Sequence, residues 1–489
     1  MKVKNKVQLI TYPDSLGGDL RSLAGVLDEH FPGCFEGGIH ILPPFPSSGD
    51  RGFAPLTYVE IDPRFGTWED VRRLGQSHDL LLDLMVNHVS SRSPYFADFL
   101  ARGRDSEWAD LFITLDKVWP DGMPVQADLD RIFLRRPRPW STFPVGTPPT
   151  PQLVWTTFGK TDPSEQIDMD WRSPQFRSVV EGLLERFSAN GVRIVRLDAV
   201  GYLAKRAGTS CFCIQPDTDE ILAWLDGLAE RHDMVLLPEV HAPQEIQLGL
   251  ARRGSWIYDF ILPYRVLEAL ILRNPLRLAA YLAARPARQF TMLDCHDGVP
   301  VKPDLDNLYD PAEVRRVVDT CLARGGNLSR ILSPEHQDGD GFDVHQVRGT
   351  FYSLLDRDDD AYIAARAIQL FTPGIPQIYY VGLLAGENDQ EAAARTGDGR
   401  EVNRHNFTLD EIRGARVRPV VQRLERLIRL RDSQAAFGGT FHVSVATEDR
   451  LRLSWATQAE TCSLDVDFRS LRSRVELTEP RGDRETFDL

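Results

Sequence analysis

Apolar residues along the chain fall into two alternating patterns. Short, nearly unbroken runs, of which Leu80-Leu-Leu-Asp-Leu-Met85 and Val192-Arg-Ile-Val-Arg-Leu-Asp198 are the clearest, alternate with longer stretches whose apolar positions recur at helical spacing. A run without polar alternation suits a strand covered on both faces, as in a parallel sheet. The pattern predicts strands over 7–12, 38–42 and 80–89, with helices over 21–31 and 68–76. It resumes with a helix over 173–188, a strand ending at Asp198, a helix over 218–231 and a strand ending at Glu239. A helix over 243–253, a strand over 256–262, helices over 265–273 and 276–284, and a strand ending at Asp297 follow. Helix 360–370, strand 376–381 and helix 418–431 close the series.

That makes about eight strand–helix units, the number an α/β fold of the (β/α)8 TIM-barrel type requires. Two irregular stretches interrupt the alternation, one rich in Pro, Arg, Trp and Asp and one rich in Asp, Gly and His. Both are too long for simple loops and read as insertions. The tail shows strand-like alternation in Thr440-Phe-His-Val-Ser-Val445 and Leu451-Arg-Leu-Ser-Trp455, which predicts a small antiparallel β domain. The expected division is therefore barrel over 1–88, insertion over 89–173, barrel over 174–298, insertion over 299–355, barrel over 356–436 and β domain over 437–489.

Composition narrows the partners. With 42% hydrophobic and 26% charged residues, the 489-residue chain has the balance of a globular protein with a sizeable core. A net charge of −14 argues against nucleic acid or an anionic membrane surface as partner. Any anionic substrate then needs a local basic cluster. The six cysteines are scattered without metal-ligand or paired spacing, no signal peptide is visible, and no apolar stretch approaches a membrane span. A cytoplasmic location is expected.

The candidate chemistry lies at strand ends. Asp198, Glu239 and Asp297 each end a predicted strand, and Arg196, two residues before Asp198, shares its face and can hold it ionised. A lone Asp after a strand is most often a cap for the next helix. Three acids at three strand ends instead suit the breaking of a glycosidic bond, which takes a nucleophilic carboxylate and a protonated one.

At these residues the chain resembles the α-amylase superfamily, family 13 of the glycoside hydrolases. Asp83-Leu-Met-Val-Asn-His88, Gly191 to Val200, Leu237-Pro-Glu239-Val and His296-Asp297 are similar to its four conserved regions, in order. Gln8-Leu-Ile-Thr-Tyr12, His40-Ile-Leu-Pro43, Leu197-Asp-Ala-Val-Gly-Tyr202, Ala207-Gly-Thr-Ser-Cys-Phe212 and Gly399-Arg-Glu-Val-Asn-Arg-His405 resemble its sucrose phosphorylase subgroup. The resemblance implies Asp198 as nucleophile, Glu239 as acid/base and Asp297 as transition-state stabiliser. It further implies His88 and His296 as hydrogen-bond donors to the glucose, and Asp50 with Arg400 at the far edge of the ring. Phe53 and Phe158 could pack on the sugar, although an aromatic is as often plain core. His405 and Asn87 are divided between site and structural roles. No metal and no cofactor is implied, and subgroup members are monomers or homodimers.

In that subgroup inorganic phosphate attacks the glucosyl ester. The run Arg135-Arg136-Pro-Arg138 is a candidate for binding phosphate, because guanidinium matches its geometry, although a solvated basic loop is the plainer reading. Gly341-Phe-Asp343-Val-His345-Gln346 resembles a loop that usually carries Tyr where this chain has His345. Phosphorylases of the subgroup that act on sucrose 6′-phosphate show that kind of substitution. The resemblance thus implies sucrose 6′-phosphate as donor, with Asp343, His345 and Gln346 on the acceptor side. Plain sucrose, glucosylglycerol or glucosylglycerate are the alternative donors. A hydrolase or transglucosidase, or a sugar-binding scaffold without activity, are the competing classes; a scaffold would be expected to lose one of the three acids.

Overall fold

The computed structural model describes residues 3–306, 308, 310–337, 342–478 and 484–489. Eight short strands form its largest sheet: Gln8–Thr11, Gly38–Ile41, Leu80–Met85, Val192–Asp198, Val235–Pro238, Ile257–Asp259, Gln289–Thr291 and Ile375–Tyr379. Starting from the sixth, the neighbours are sixth, seventh, eighth, first, second, third, fourth and fifth. The eighth strand lies parallel beside the first, with Gln8 opposite Gln377 and Ile10 opposite Tyr379. A last strand paired with the first is the order of a (β/α)8 barrel. Almost every strand residue is buried, as the unbroken apolar runs require.

The chain packs as two compact units. The first comprises Ile41–Val240 and Ile331–Asp343. Here the third, fourth and fifth strands run parallel, with Met85 opposite Asp198 and Leu197 opposite Pro238. The ladder continues one residue further, since Glu239 N–H donates to the Leu197 carbonyl at 3.0 Å. This register brings Asp198 and Glu239 to the same carboxyl end of adjacent strands. Helix Pro174–Ala189 before the fourth strand starts on Ser173, whose hydroxyl accepts from Phe176 N–H, with Pro174 at the first helical position. The stretch after His88 builds a hairpin, Trp140–Val145 with Thr150–Trp155, around Ile113, Leu115, Trp119, Ile132, Trp140, Trp155 and Cys211.

The second unit comprises residues 2–40, 241–330 and 344–489. It holds the sixth to eighth and first strands, a three-stranded sheet of Val299–Pro300, Val344–Arg348 and Asn327–Arg330, and five antiparallel strands in chain order over 440–488. Within the five, Leu451, Leu453, Trp455, Cys462, Leu464, Val466 and Val475 are buried.

Four element boundaries differ from the sequence reading. The strand over 80–89 stops at Met85, and His88–Ser90 pairs antiparallel with Gln166–Asp168 instead. The strand over 256–262 is only Ile257–Asp259, because the Asp259 carboxylate accepts from Leu262 N–H and starts helix Leu262–Leu272. The strand expected to end at Asp297 is Gln289–Thr291, and Asp297 lies in the loop beyond. In that loop the buried Asp294 carboxylate accepts from the Arg366 guanidinium at 2.6 Å. The strand over 376–381 ends at Tyr379 and enters the helical turn Tyr380–Leu383.

Candidate active site

In the first unit, one guanidinium organises three carboxylates. Arg196 Nη1 reaches Asp83 Oδ1 at 2.5 Å and Asp198 Oδ1 at 2.9 Å, and its Nη2 reaches Glu239 Oε1 at 2.8 Å. The Arg196 side chain is 4% exposed and Asp83 is fully buried. Asp198 and Glu239 remain slightly open, at 11% and 12%. The other Glu239 oxygen accepts from Ala199 N–H at 3.1 Å, a direction made possible by the left-handed backbone of Ala199 (φ 54°). Burial, and then the charge of Glu239, push the Asp198 carboxyl well above the usual range, against the opposing pull of Arg196. Two carboxylates on one guanidinium therefore hold a proton between them more readily than isolated acids do.

Phe53, expected against a sugar, is buried with its ring 5.7 Å from the Arg196 guanidinium carbon. Its carbonyl accepts from His88 Nε2 at 2.8 Å and from Gln166 Nε2 at 3.0 Å. His88 Nε2 thus donates to a backbone carbonyl of the loop that carries Phe53. Burial holds the His88 imidazole below its ordinary pKa, so the ring is neutral. The turn before Phe53 needs Gly52 (φ 111°), since a Cβ there would meet the Pro43 carbonyl oxygen at 2.5 Å. Asp50, in that turn, lies 3.5 Å from Lys160 Nζ. Phe158 is half-buried, with its ring 5.6 Å from His88 and 5.0 Å from Tyr202.

Asn87 belongs to a buried polar cluster that sequence reasoning missed. Lys205 Nζ lies 2.8 Å from Asp168 Oδ2 and 3.2 Å from Asn87 Oδ1, and it also donates to the Tyr202 carbonyl. Asp168 is fully buried and accepts further from Thr157 N–H and Asn87 Nδ2. The ammonium satisfies oxygens that would be costly to bury alone. Lys205→Met should therefore cost about 3–5 kcal/mol, because it leaves the buried Asp168 charge without its cation. Thermal unfolding measures this, and an unchanged Tm would show that the cluster needs no ammonium.

The arginine run divides. Arg136 is buried and donates to Ser141 Oγ, Thr156 Oγ1 and the Thr161 carbonyl at 3.2, 2.9 and 2.8 Å. Arg138 is bound to Asp162 at 2.7 Å. These partners tie both side chains to residues 141–162 of the same stretch. Arg135 is half-buried, with its guanidinium carbon 5.9 Å from the Phe158 ring centre. Asp343 is half-buried, and its carbonyl accepts from Ile331 N–H at 2.9 Å; Gly341 of the same motif lies outside the described residues.

In the second unit, Asp297 sits among cations. Arg400 Nε is 3.4 Å from its Oδ1 and His296 Nε2 is 3.5 Å from its Oδ2. Burial works to raise its carboxyl, but His296, Arg400, Arg404 and His241 outweigh that and hold it well below the usual range. Asp297 is thus a fixed negative charge. Asn403 Nδ2 donates to the Cys295 and Asp297 carbonyls at 3.0 Å each, and Arg404 Nε to the His296 carbonyl at 2.9 Å, which shapes the loop. His405 bridges Asp389 and Glu411 at 2.8 and 3.0 Å, a structural position.

His345 and Gln346 are buried in strand Val344–Arg348. His345 Nδ1 donates to the Lys302 carbonyl at 2.6 Å. Beside it, with ring centres 6.0 Å apart, lies His241, which sequence reasoning missed although it follows Glu239 by two residues.

Barrel, paired carboxylates and the arginine between them define an enzyme class that works on glycosidic bonds through carboxylate chemistry. Residues 35–245 match the model of the α-amylase catalytic domain. The chain is 55% identical to the sucrose 6(F)-phosphate phosphorylase of Thermoanaerobacterium thermosaccharolyticum over 99% of both chains, and 41% identical to a sucrose phosphorylase of Agrobacterium vitis over 97% of both. It superposes on the crystal structure of sucrose 6F-phosphate phosphorylase from Thermoanaerobacter thermosaccharolyticum with a TM-score of 0.98, at 54% identity, covering 100% of this chain and 99% of that one. The chain belongs to the α-amylase family, among its glucoside phosphorylases. No helix among the described residues is long and apolar enough to cross a membrane.

Proposed function

We propose that this enzyme cleaves sucrose 6′-phosphate with inorganic phosphate, releasing α-D-glucose 1-phosphate and fructose 6-phosphate. The observation that carries the reading is the carboxylate pair on Arg196, set in a chain that shares 55% of its residues with a sucrose 6(F)-phosphate phosphorylase.

In the first step the Asp198 carboxylate attacks the anomeric carbon, and the pair's proton passes through Glu239 to the leaving fructosyl oxygen. A β-glucosyl ester forms as the glycosidic bond breaks. In the second step a phosphate oxygen attacks the same carbon, its proton goes to Glu239, and Asp198 leaves. Two inversions give net retention. Arg196 keeps a positive charge against the pair throughout, and the fixed negative charge of Asp297 stabilises the oxocarbenium-like transition state. Asp50, His296 and Arg400 are assigned to the glucose hydroxyls, and Phe158 to a face of the sugar. Asp343 and Gln346 are assigned to the fructosyl side, and Arg135 and His345 to the phosphoryl group. The enzyme is placed in the cytoplasm as a monomer or homodimer, with the barrel, its two insertions and the β domain divided as the sequence suggests.

The test is glucose 1-phosphate release from sucrose and from sucrose 6′-phosphate, each with and without inorganic phosphate. Strict phosphate dependence with preference for the phosphorylated donor is expected. Equal or better use of plain sucrose would make sucrose the donor, and free glucose released without phosphate would make the enzyme a hydrolase.

A further inference from the structure

Residues 399–405 of the second unit carry three side chains that hold the Asp297 loop, and the last residue of the segment, His405, is gripped from two sides at once. Arg400 Nε lies 3.4 Å from Asp297 Oδ1, Asn403 Nδ2 donates to the Cys295 and Asp297 carbonyls, and Arg404 Nε donates to the His296 carbonyl. His405 then places Nδ1 2.8 Å from Asp389 Oδ2 and Nε2 3.0 Å from Glu411 Oε1. The two carboxylates start different helices. Asp389 Oδ1 accepts from Ala392 N–H at 2.8 Å at the head of helix Gln390–Thr396. Glu411 Oε2 accepts from Thr408 N–H at 2.7 Å in the capping box of helix Leu409–Arg416. Asp389 N–H also donates to the Val402 carbonyl at 2.8 Å, so one residue holds the segment by backbone and by side chain.

Counting protons decides the state of the ring. A neutral imidazole has one N–H and one bare nitrogen, and an ionised carboxylate only accepts. Two carboxylates on opposite nitrogens therefore require both nitrogens to be protonated, which makes the ring an imidazolium. Burial works to lower the His405 pKa, but the hydrogen bonds to Asp389 and Glu411 and their charges outweigh it and raise it. Burial likewise works to raise the Asp389 carboxyl, but His405, the Ala392 N–H and the charge of Arg395 hold it low. The Thr408 N–H, foremost, keeps Glu411 low. Phe407 adds no charge and meets the ring edge-on, with centres 4.8 Å apart. A group whose pKa is raised by folding contributes fully below its ordinary pKa, and that contribution is lost as pH rises through the raised one. Once the second proton leaves, one ring nitrogen faces its carboxylate lone pair to lone pair, and that tie is repelled rather than held.

We propose that His405 is a positioning residue: its imidazolium latches residues 399–405 between two helix starts and so keeps Arg400 on Asp297, and loss of that proton opens the latch and gives the site a reversible alkaline limit. The consequence for sugar binding rests on the reading above that sets Asp297 and Arg400 on the glucosyl unit.

Glu411→Gln separates the latch from its charge. The amide keeps an oxygen for Thr408 N–H and offers an N–H to the ring, so a neutral His405 donates to Asp389 and accepts from the amide. Wild type, Glu411→Gln and His405→Gln are compared across pH by two readouts that need no turnover. One is the calorimetric Kd for D-glucose, and the other is hydrogen-exchange protection of residues 398–406, corrected for the intrinsic pH dependence of exchange. In wild type both weaken about ten-fold on the alkaline side, the worth of one charge-assisted hydrogen bond. In Glu411→Gln both hold their low-pH wild-type level through that range, whereas in His405→Gln both are weak and flat at every pH. If Glu411→Gln does not fold, Asp389→Asn gives the amide to the other nitrogen and makes the same comparison. A wild-type Kd that does not change with pH, an alkaline rise that survives in Glu411→Gln, or a Kd unmoved by His405→Gln overturns the proposal. Failure of the phosphorylase reading is scored separately, as absence of glucose 1-phosphate from wild-type enzyme, and leaves both readouts in place.

Discussion

Asp198→Asn is expected to lower glucosyl transfer by about 10⁴-fold or more while making the folded chain more resistant to heat. The loss follows from chemistry: an amide cannot form the glucosyl ester, and Glu239 has nothing to protonate against. The gain follows from charge. A single Arg196 guanidinium faces Asp83, Asp198 and Glu239, so the cluster carries more negative than positive charge in a buried setting. Removing one carboxylate leaves Arg196 with Asp83 and Glu239 and relieves repulsion worth about 1–2 kcal/mol.

The pH dependence gives the sign. The Asp198 carboxyl is raised by burial and by Glu239, so the fold favours its protonated form. Stability from this group is present at low pH and is lost as pH rises through the raised pKa. The Asn variant has no such loss. Its Tm advantage should therefore be small in acid and grow toward alkaline pH, which paired thermal scans measure. A Tm advantage that shrinks as pH rises would show that Asp198 is ionised without penalty.

His345→Tyr and Arg135→Ala should each raise the KM for sucrose 6′-phosphate about 10–100-fold, the worth of one charge-assisted hydrogen bond. The KM for plain sucrose should move far less. The comparison with Arg136→Ala is the control built into the sequence itself. Arg136 is buried with three protein acceptors, so its loss should lower Tm rather than change donor preference. Initial rates on the two donors, with a thermal scan of each variant, separate these effects. A donor ratio unmoved by His345→Tyr would detach that ring from the phosphoryl group.

The barrel was legible because a parallel strand buried on both faces is written mostly in apolar residues, as Leu80–Met85 is, and such stretches alternate with helical ones along the chain. Element ends were less legible where a side chain took over a backbone group, as Asp259 does in accepting from Leu262 N–H at the start of a helix. Asp198 and Glu239 were visible as acids at the ends of such runs, and the i, i+2 spacing of Arg196 and Asp198 put both on one face.

The sequence by itself thus determined the alternation of strands and helices, the acids at strand ends and the arginine that shares a face with the first of them, because these depend on short-range spacing. Only the tertiary structure decided that Arg196 also reaches Asp83 and Glu239, that Lys205 supplies the charge beside Asp168, and that Arg136 and Arg138 bond to residues 141–162 while Arg135 lies over Phe158. It alone joined Asp304 to His241, which are 63 residues apart. Hydrogen bonds between side chains so distant leave no periodicity in the chain, and their partners are chosen by packing rather than by spacing.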